Sequence, residues 1–243
     1  MGATETPHDQ VRYPVGVFEH THPSRLATLA TLFGMRPPPV ERCRVLELGC
    51  GEGSNLIPMA EALPDARFTG VDLASTRIAA GSAWAAQLGL ENLTLEARDI
   101  LDFEPDPGVY DYIIAHGVYS WVPPAVQEKV LSIVQRGLAP QGVGYVSYNA
   151  LPGGYLRKPL RDLMLFHGRG LDDPERRVPQ SRAIAAFAAA GSPAVTGVYK
   201  QVLEGQRDRL AQLADEYLFH DDLCPHNESL YFHDFMERAG RHG

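Results

Sequence analysis

From residue 44 to residue 148 short apolar runs alternate with amphipathic stretches of helical period, and beyond residue 154 only the helical period persists. Val45, Leu46 and Leu48 form the first run, and residues 67–73, 93–97, 110–115 and 142–148 supply four more of strand length. Between them lie helical patterns: Leu56, Ile57, Met59, Ala60 and Leu63, then Ile78, Ala79, Trp84 and Leu88, then Val126, Val130, Ile133 and Val134. Ser75 stands where a helix cap is wanted, and Gly89 and Gly137 stand where helices stop. Strands and helices in strict alternation predict an α/β chain. Right-handed crossovers then order the strands 3-2-1-4-5, a Rossmann-like doubly wound parallel sheet that binds ligands at its carboxyl edge.

The flanks differ from this pattern. Residues 1–12 read as a loose polar tail, followed by an aromatic, turn-rich segment over 13–18. Thr21-His22-Pro23 predicts a helix start with Thr21 as cap, and Leu26, Leu29, Ala30 and Phe33 fall on one stripe of that helix. The prolines of Met35-Arg36-Pro37-Pro38-Pro39 then make a stiff linker into the first strand. At the other end, residues 155–168, 181–190, 198–219 and 228–239 each carry apolar positions at helical spacing. The expected division is a ligand-binding domain over 1–153 and a C-terminal helical appendage over 154–243.

Chemistry concentrates in the turn between the first strand and its helix, Glu47-Leu48-Gly49-Cys50-Gly51-Glu52-Gly53-Ser54-Asn55. Gly49, Gly51 and Gly53 remove side chains where a ligand must lie against the backbone, and Gly51 can take a positive φ. Turns of this kind also serve nicotinamide and flavin dinucleotides, whose phosphates sit at a helix N-terminus. Glu47 and Glu52 carry the wrong sign for a pyrophosphate. A cationic ligand reverses that argument, and S-adenosylmethionine has a sulfonium, an ammonium and no phosphate. Asp72, at the end of the second strand, is placed to accept both ribose hydroxyls of such a ligand, and Asp99, after the third, to take its adenine amino group.

On these residues the chain resembles the class I S-adenosylmethionine-dependent methyltransferases. Glu47-Leu48-Gly49-Cys50-Gly51-Glu52-Gly53 is similar to their first motif, Val71-Asp72-Leu73 to their second and Arg98-Asp99-Ile100 to their third, within a resemblance that covers residues 40–150. Thr21-His22-Pro23, Phe33-Gly34-Met35, His116-Gly117-Val118-Tyr119-Ser120-Trp121-Val122-Pro123, and Tyr148-Asn149 followed by Pro152-Gly153, resemble a bacterial group that joins this domain to a methyltransferase regulatory domain. That group includes protein lysine methyltransferases of outer-membrane proteins.

The resemblance implies S-adenosylmethionine as cofactor, held by Tyr13, Glu47, Gly49, Cys50, Gly51, Asn55, Asp72, Leu73, Asp99, Ile100 and His116. In the resembled fold the leading segment closes over the cofactor, which gives Tyr13 either a place on adenine or at the substrate opening, or the plainer role of a packed anchor. Cys50 is a small filler in the loop, since transfer from a sulfonium needs no enzyme thiol. The resemblance places His116, Tyr119, Trp121, Tyr148 and Asn149 where the catalytic side chains belong. Methyl transfer is an in-line displacement that needs the acceptor atom held about 3 Å from the methyl carbon. An amine acceptor must first lose a proton, because a free lysine titrates near about 10.4. His116 then reads as a base or as a side chain that closes over the cofactor, Tyr119 and Trp121 as a cation-binding wall or as core aromatics, and Asn149 as an acceptor-orienting group or a turn residue.

Composition narrows the partners. Acids outnumber Lys and Arg by 30 to 22, for a net charge of −8, which argues against nucleic acid. Cys43, Cys50 and Cys224 lack metal-ligand spacing and suggest a reducing compartment; with no long apolar run, the expectation is a cytoplasmic protein without membrane insertion. His220, Asp221, Asp222, His226 and His233 are metal-capable types without a compact i,i+4 pair, so no metal is expected. Arg157, Lys158, Arg161, Arg169, Arg176, Arg177 and Arg182 make a basic run diluted by Asp162, Asp172, Asp173 and Glu175, read as a solvated face first and a site for an acidic partner second. The leucine stripe over 198–219 reads as core, or as the seam of a homodimer. The end at Gly243 falls where the resembled proteins usually continue, so a truncated or short variant is expected. The favoured function is methyl transfer to a protein side-chain nitrogen, lysine above others. The alternatives are a small-molecule O- or N-methyltransferase, a non-catalytic S-adenosylmethionine-sensing module and, at a distance, a nicotinamide oxidoreductase.

Overall fold

The structure is a computed structural model that describes residues 16–191 and 196–243. The tail expected over 1–12 and the candidate Tyr13 lie outside the described residues. Contacts divide the chain into two compact units, one built on residues 16–148 and 233–243, the other on residues 149–232.

The first unit holds β1 (Arg44–Leu48), β2 (Arg67–Asp72), β3 (Leu93–Ala97), β4 (Tyr110–Ala115) and β5 (Leu138–Val146) in one parallel sheet of order 3-2-1-4-5. Its helices are α1 (Pro23–Leu32), α2 (Leu56–Ala62), α3 (Ser75–Gln87) and α4 (Pro124–Gly137). Parallel strands are covered on both faces, and the two central ones show it: Val45, Leu46 and Leu48 on β1, and Tyr112, Ile113, Ile114 and Ala115 on β4, are fully buried. The strand order reverses between β1 and β4, where Glu47 stands opposite Gly70 on one side and Ile114 on the other. Glu47 therefore sits near the carboxyl edge at the topological switch point. The opposite edge is fastened by Arg44, whose backbone N–H donates to Asp111 Oδ2 at 2.8 Å while its Nη2 donates to Oδ1 at 3.0 Å. Tyr112 donates its hydroxyl to the Pro38 carbonyl at 2.7 Å and so pins the proline linker to the sheet.

Several local expectations shift. His22, not Thr21, caps α1: its Nδ1 accepts from the Ser24 N–H, and Pro23 takes the first helical position, where a missing N–H costs nothing. Of the stripe on α1 only Leu26 and Ala30 are buried; Leu29 and Phe33 are exposed. Ala74, not Ser75, is the cap position of α3. β5 begins directly after α4 at Leu138, four residues early, and its pairing with β4 is interrupted between Tyr110 and Tyr112. Gln141, with φ of 65°, lies in this irregular stretch, where an extra length of strand must be absorbed.

The second unit contains α5 (Lys158–His167), α6 (Pro174–Ala190), α7 (Gly197–Gln212), a π-helical turn at Leu218–Asp222, and the short parallel pair β6 (Asn149–Ala150) and β7 (Ser229–Leu230). Leu160, Met164, Val178, Ala185, Leu203, Leu210 and Leu218 make its core. Asp222 is buried there as a bidentate partner of Arg209, at 2.7 and 3.2 Å, which satisfies a charge that burial would otherwise penalise. Leu230, expected in the last helix, lies in β7 instead; α8 (Phe232–Gly240) starts after it, and residues 233–243 cluster with the sheet. Among the described residues no helix is long and apolar enough to cross a membrane.

Gly81 on α3 sets the distance between that helix and the Gly-rich turn, because a Cβ there would come within 2.1 Å of the Glu52 carbonyl oxygen. That atom is backbone and cannot swing aside. Gly81→Ala is expected to lower unfolding free energy by about 1–3 kcal/mol through overpacking; urea denaturation measures it, and an unchanged midpoint would mean that α3 slides freely over the turn.

Candidate functional site

The site grows from the end of β1. The turn that follows is held by backbone bonds from Gly49 and Cys50 N–H to the Val71 carbonyl, at 2.8 and 3.2 Å. Gly49 has φ of +71°, and a Cβ on it would meet Val118 at 2.3 Å, so both conformation and space require glycine. Gly51, with φ of +58°, presents its N–H to Asp72 Oδ2 at 2.8 Å.

Asp72 is the brace of this edge. Its second oxygen, Oδ1, accepts from the Ala74 N–H at 2.8 Å. A carboxylate offers about four acceptor positions, so two are left for hydroxyls of a ligand. Leu73 beside it is 59% exposed, an apolar surface next to an acid. Asp99 accepts from the Leu101 N–H at 2.9 Å and caps the short helical turn Ile100–Asp102, which places Ile100 at the head of that turn after β3. Glu47, Gly49, Gly51, Asp72, Leu73, Asp99 and Ile100 thus occupy the ends of β1, β2 and β3 or the turns directly after them.

Glu47 is only 4% exposed. Its Oε1 accepts from Asn55 Nδ2 at 2.8 Å, and its Oε2 is buried with no hydrogen-bond partner among the described residues. Burial pushes the carboxyl up to about 8, the Asn55 bond works against that shift, and the Asp72 charge adds to it. Glu47 is therefore protonated at neutral pH, where the sequence suggested a negative charge. The orphaned oxygen is what a cationic donor would satisfy. Cys50 is also buried, and burial together with Asp72 and Glu47 drives its thiol well above the ordinary range, which leaves it inert as a nucleophile.

Asn55 joins three segments. Besides Glu47, its Nδ2 donates to Thr21 Oγ1 at 3.0 Å, and its Oδ1 accepts from the Phe18 N–H at 3.0 Å. Thr21 in turn donates to the Phe18 carbonyl at 2.8 Å. Its amide is thus committed to fixing the leading segment, a role that sequence reasoning missed because the partners lie more than thirty residues away.

After β4, His116 packs against Phe18 with ring centroids 4.2 Å apart, against His20 at 4.8 Å and against Tyr145 at 6.0 Å. Its Nδ1 is buried without a partner among the described residues, and burial, then the neighbouring His20, lowers its pKa. The ring is neutral at pH 7. Tyr119 is fully buried and meets Phe235 edge-on at 5.5 Å, and Tyr148 stacks on Phe235 at 4.3 Å and 20°. Trp121 ends the same short helical turn as Tyr119 and is half-buried. Phe235, on α8, is the aromatic that sequence reasoning did not find; its place in the pattern of the last helix marked it only as apolar. Asn149 belongs to the helical unit, where it opens β6 and donates to Asn227 Oδ1 at 3.2 Å. His116, Tyr119, Trp121 and Tyr148 thus belong to the sheet unit, His116 against Phe18, His20 and Tyr145 and the two tyrosines against Phe235, while Asn149 belongs to the other unit.

Residues 45–142 match the model of a methyltransferase domain. Over 240 residues the chain is 40% identical to the protein RP789 of Rickettsia prowazekii, covering 99% of this chain and 43% of that one. It is 37% identical over 232 residues to RP028 of the same organism, covering 96% of this chain and 93% of its relative. Among solved structures, PKMT2 from Rickettsia typhi in complex with AdoHcy matches with a TM-score of 0.83 and 36% identity, over 95% of this chain and 44% of that chain. The chain spans less than half the length of RP789 and of PKMT2, and nearly all of RP028.

The Glu47 carboxyl titrates near 8 in the folded chain against an ordinary 4.5. The folded state then binds the extra proton between those values, so the contribution is whole below the ordinary value and is lost as pH rises through about 8. The melting temperature of the unliganded protein is expected to fall, relative to Glu47→Gln, from about pH 5 to about pH 8. Scanning calorimetry of both proteins checks this, and a pH-independent difference would mean an ionised carboxylate throughout.

Proposed function

The chain belongs to the class I S-adenosylmethionine-dependent methyltransferases, an enzyme family, and from that premise we propose that it methylates a protein side-chain nitrogen, lysine above other acceptors. The observation that supports the lysine reading is the likeness, across 95% of the chain, to PKMT2 from Rickettsia typhi in complex with AdoHcy, joined to the motifs that resemble a group including protein lysine methyltransferases. We further assign the chain to the group with a methyltransferase regulatory domain and give the helical region, 154–243, the regulatory role, with the cofactor-binding domain over 1–153.

When bound, S-adenosylmethionine supplies a methyl group on a cationic sulfur. Asp72 accepts the ribose hydroxyls on its two remaining acceptor positions, with Leu73 and Ile100 as apolar neighbours and Asp99 for the adenine amino group. Gly49 and Gly51 keep the backbone clear of side chains, and the free oxygen of Glu47 takes the positive end. The residues present fit this cofactor: the orphaned Glu47 Oε2 and the side-chain-free turn are what a cation lying on backbone needs.

On the acceptor side the neutral ring of His116 presents a lone pair, not a second cation, to an incoming ammonium. His116 is the proton acceptor in this reading, Trp121 is the wall for the cation, Tyr119, fully buried against Phe235, is a core aromatic, and Tyr148 is held flat by Phe235. Stripping water from the amine lowers its pKa and frees the nucleophilic lone pair.

Two outcomes are expected. Labelled methyl offered as S-adenosylmethionine to a bacterial lysate enters the protein fraction and is recovered after hydrolysis as methylated lysine, and Asp72→Ala abolishes it. Label confined to small molecules would move the assignment to a small-molecule acceptor, and cofactor binding without label would indicate a sensor. Because a cation draws the proton off Glu47, cofactor affinity should rise with pH up to about 8, by at most about tenfold per unit, and less steeply in Glu47→Gln. Calorimetry in buffers of differing ionisation enthalpy reads the released proton; equal release by both proteins would remove Glu47 from this role.

A further inference from the structure

The helical unit carries a feature that methyl transfer does not use. Between 157 and 182 seven basic side chains stand against four acidic ones, in a chain whose net charge is −8. Most of these bases are spoken for. Lys158 pairs with Asp162, Arg161 donates to the Cys224 carbonyl, Arg177 to the Leu223 carbonyl, and Arg182 reaches Asp215 and the Leu213 carbonyl. Arg157, Arg169 and Arg176 have guanidinium groups without an ion pair or hydrogen bond among the described residues.

Two of those three converge. A cavity of about 420 Å³ lies between the end of α5 and the first turns of α6, lined by His167, Arg169, Leu171, Arg176, Pro179 and Gln180. No carboxylate lines it. Asp173, close by in sequence, caps α6 by accepting from the Glu175 N–H at 3.0 Å. Arg169 is steadied over the Phe166 ring at 4.6 Å, which fixes a cation without neutralising it. His167 Nε2 and Gln180 Oε1 are 3.0 Å apart, so the imidazole N–H donates and the Gln180 amide nitrogen is left as a further donor. The walls between these donors are apolar, from Leu171 and Pro179.

We propose that this cavity is a binding site for a small organic anion, whose carboxylate or phosphate is clasped by Arg169 and Arg176 while its apolar body lies on Leu171 and Pro179. The size suits it, since ligand pockets run from about 300 to 1,000 Å³ with a few placed polar groups in apolar walls. The chemistry suits it too: a planar guanidinium pairs an oxyanion through two parallel N–H bonds, and two of them fix both its charge and its orientation. A solvated face without a ligand would leave the same arginines scattered, not gathered round one hollow free of acids.

The test titrates the full chain calorimetrically with phenyl phosphate, benzoate and neutral benzyl alcohol. At least one anion should bind with a Kd below about 1 mM. Arg169→Gln with Arg176→Gln should weaken that binding at least about tenfold, as lost charge-assisted bonds require. Arg157→Gln, exposed and outside the cavity, should leave it within about twofold. Unchanged melting temperatures establish that the variants fold. Preference for phenyl phosphate would identify a phosphate ester as the ligand class, and preference for benzoate a carboxylate. Any of three results overturns the site: neither anion binds, benzyl alcohol binds as well, or Arg157→Gln weakens binding as much as the double variant does. A glutamate-rich peptide that binds while both small anions fail would also overturn it, and would assign the face to an acidic polypeptide.

Discussion

The hydrogen bond from Asn55 to Glu47 is the constraint on which the cofactor edge depends. One amide, 3% exposed, spans the end of β1, the start of α2 and the leading segment, through Glu47, Phe18 and Thr21. Its two lone pairs and two N–H groups have no equivalent in another side chain of that size. Because Phe18 is held there, its ring reaches His116, and because His116 is walled by Phe18 and His20 it loses water and stays neutral. The protonation state of a group after β4 is thereby tied to a bond made at β1. The link runs through packing and desolvation, with no direct charge between the two ends.

The α/β alternation was legible from the pattern itself, and the order 3-2-1-4-5 followed once right-handed crossovers were joined to the resemblance to the class I methyltransferase sheet, because handedness alone also admits other doubly wound orders. The acids at the strand ends were legible as well, because a carboxylate inside a Gly-rich turn is a local anomaly. What could not be read was the state of those acids. Glu47 looked like a fixed negative charge, yet burial beside Asp72 holds its proton, and burial is a property of the assembled sheet. The aromatic floor under Tyr148 was equally hidden. Phe235 lies far along the chain in a helix whose stripe indicated only that it was apolar, and nothing local distinguishes an aromatic that caps a site from one that fills a core.

Boundaries failed for a different reason. Thr21 is a good cap by type, but its hydroxyl is taken by Phe18 and Asn55, and His22 caps the helix in its place. Leu230 has the spacing of the last helix, but the pairing of Ser229–Leu230 with Asn149–Ala150 draws it into a strand. In both cases a bond to a distant residue overrode a local preference worth about 1 kcal/mol or less. The exposed Leu29 and Phe33 show the converse: helical spacing assigns a stripe, and only the packed unit decides how wide a stripe it covers.

A site for methyl transfer to an amine faces two cations, the sulfonium ligand and the ammonium acceptor, and burying both beside a fixed cation would be costly. The sheet unit meets this by keeping its own groups neutral until they are needed. In the proposed reading, a cationic ligand displaces the proton that burial holds on Glu47 and gives its partnerless oxygen a partner. His116, in the same reading, offers an ammonium acceptor a lone pair from a ring that burial against Phe18 keeps neutral. Asp72 is instead taken up by backbone N–H groups, Gly51 on one oxygen and Ala74 on the other. In that reading charge forms at this edge only as its partner arrives, which spares the sheet the cost of a buried unpaired carboxylate.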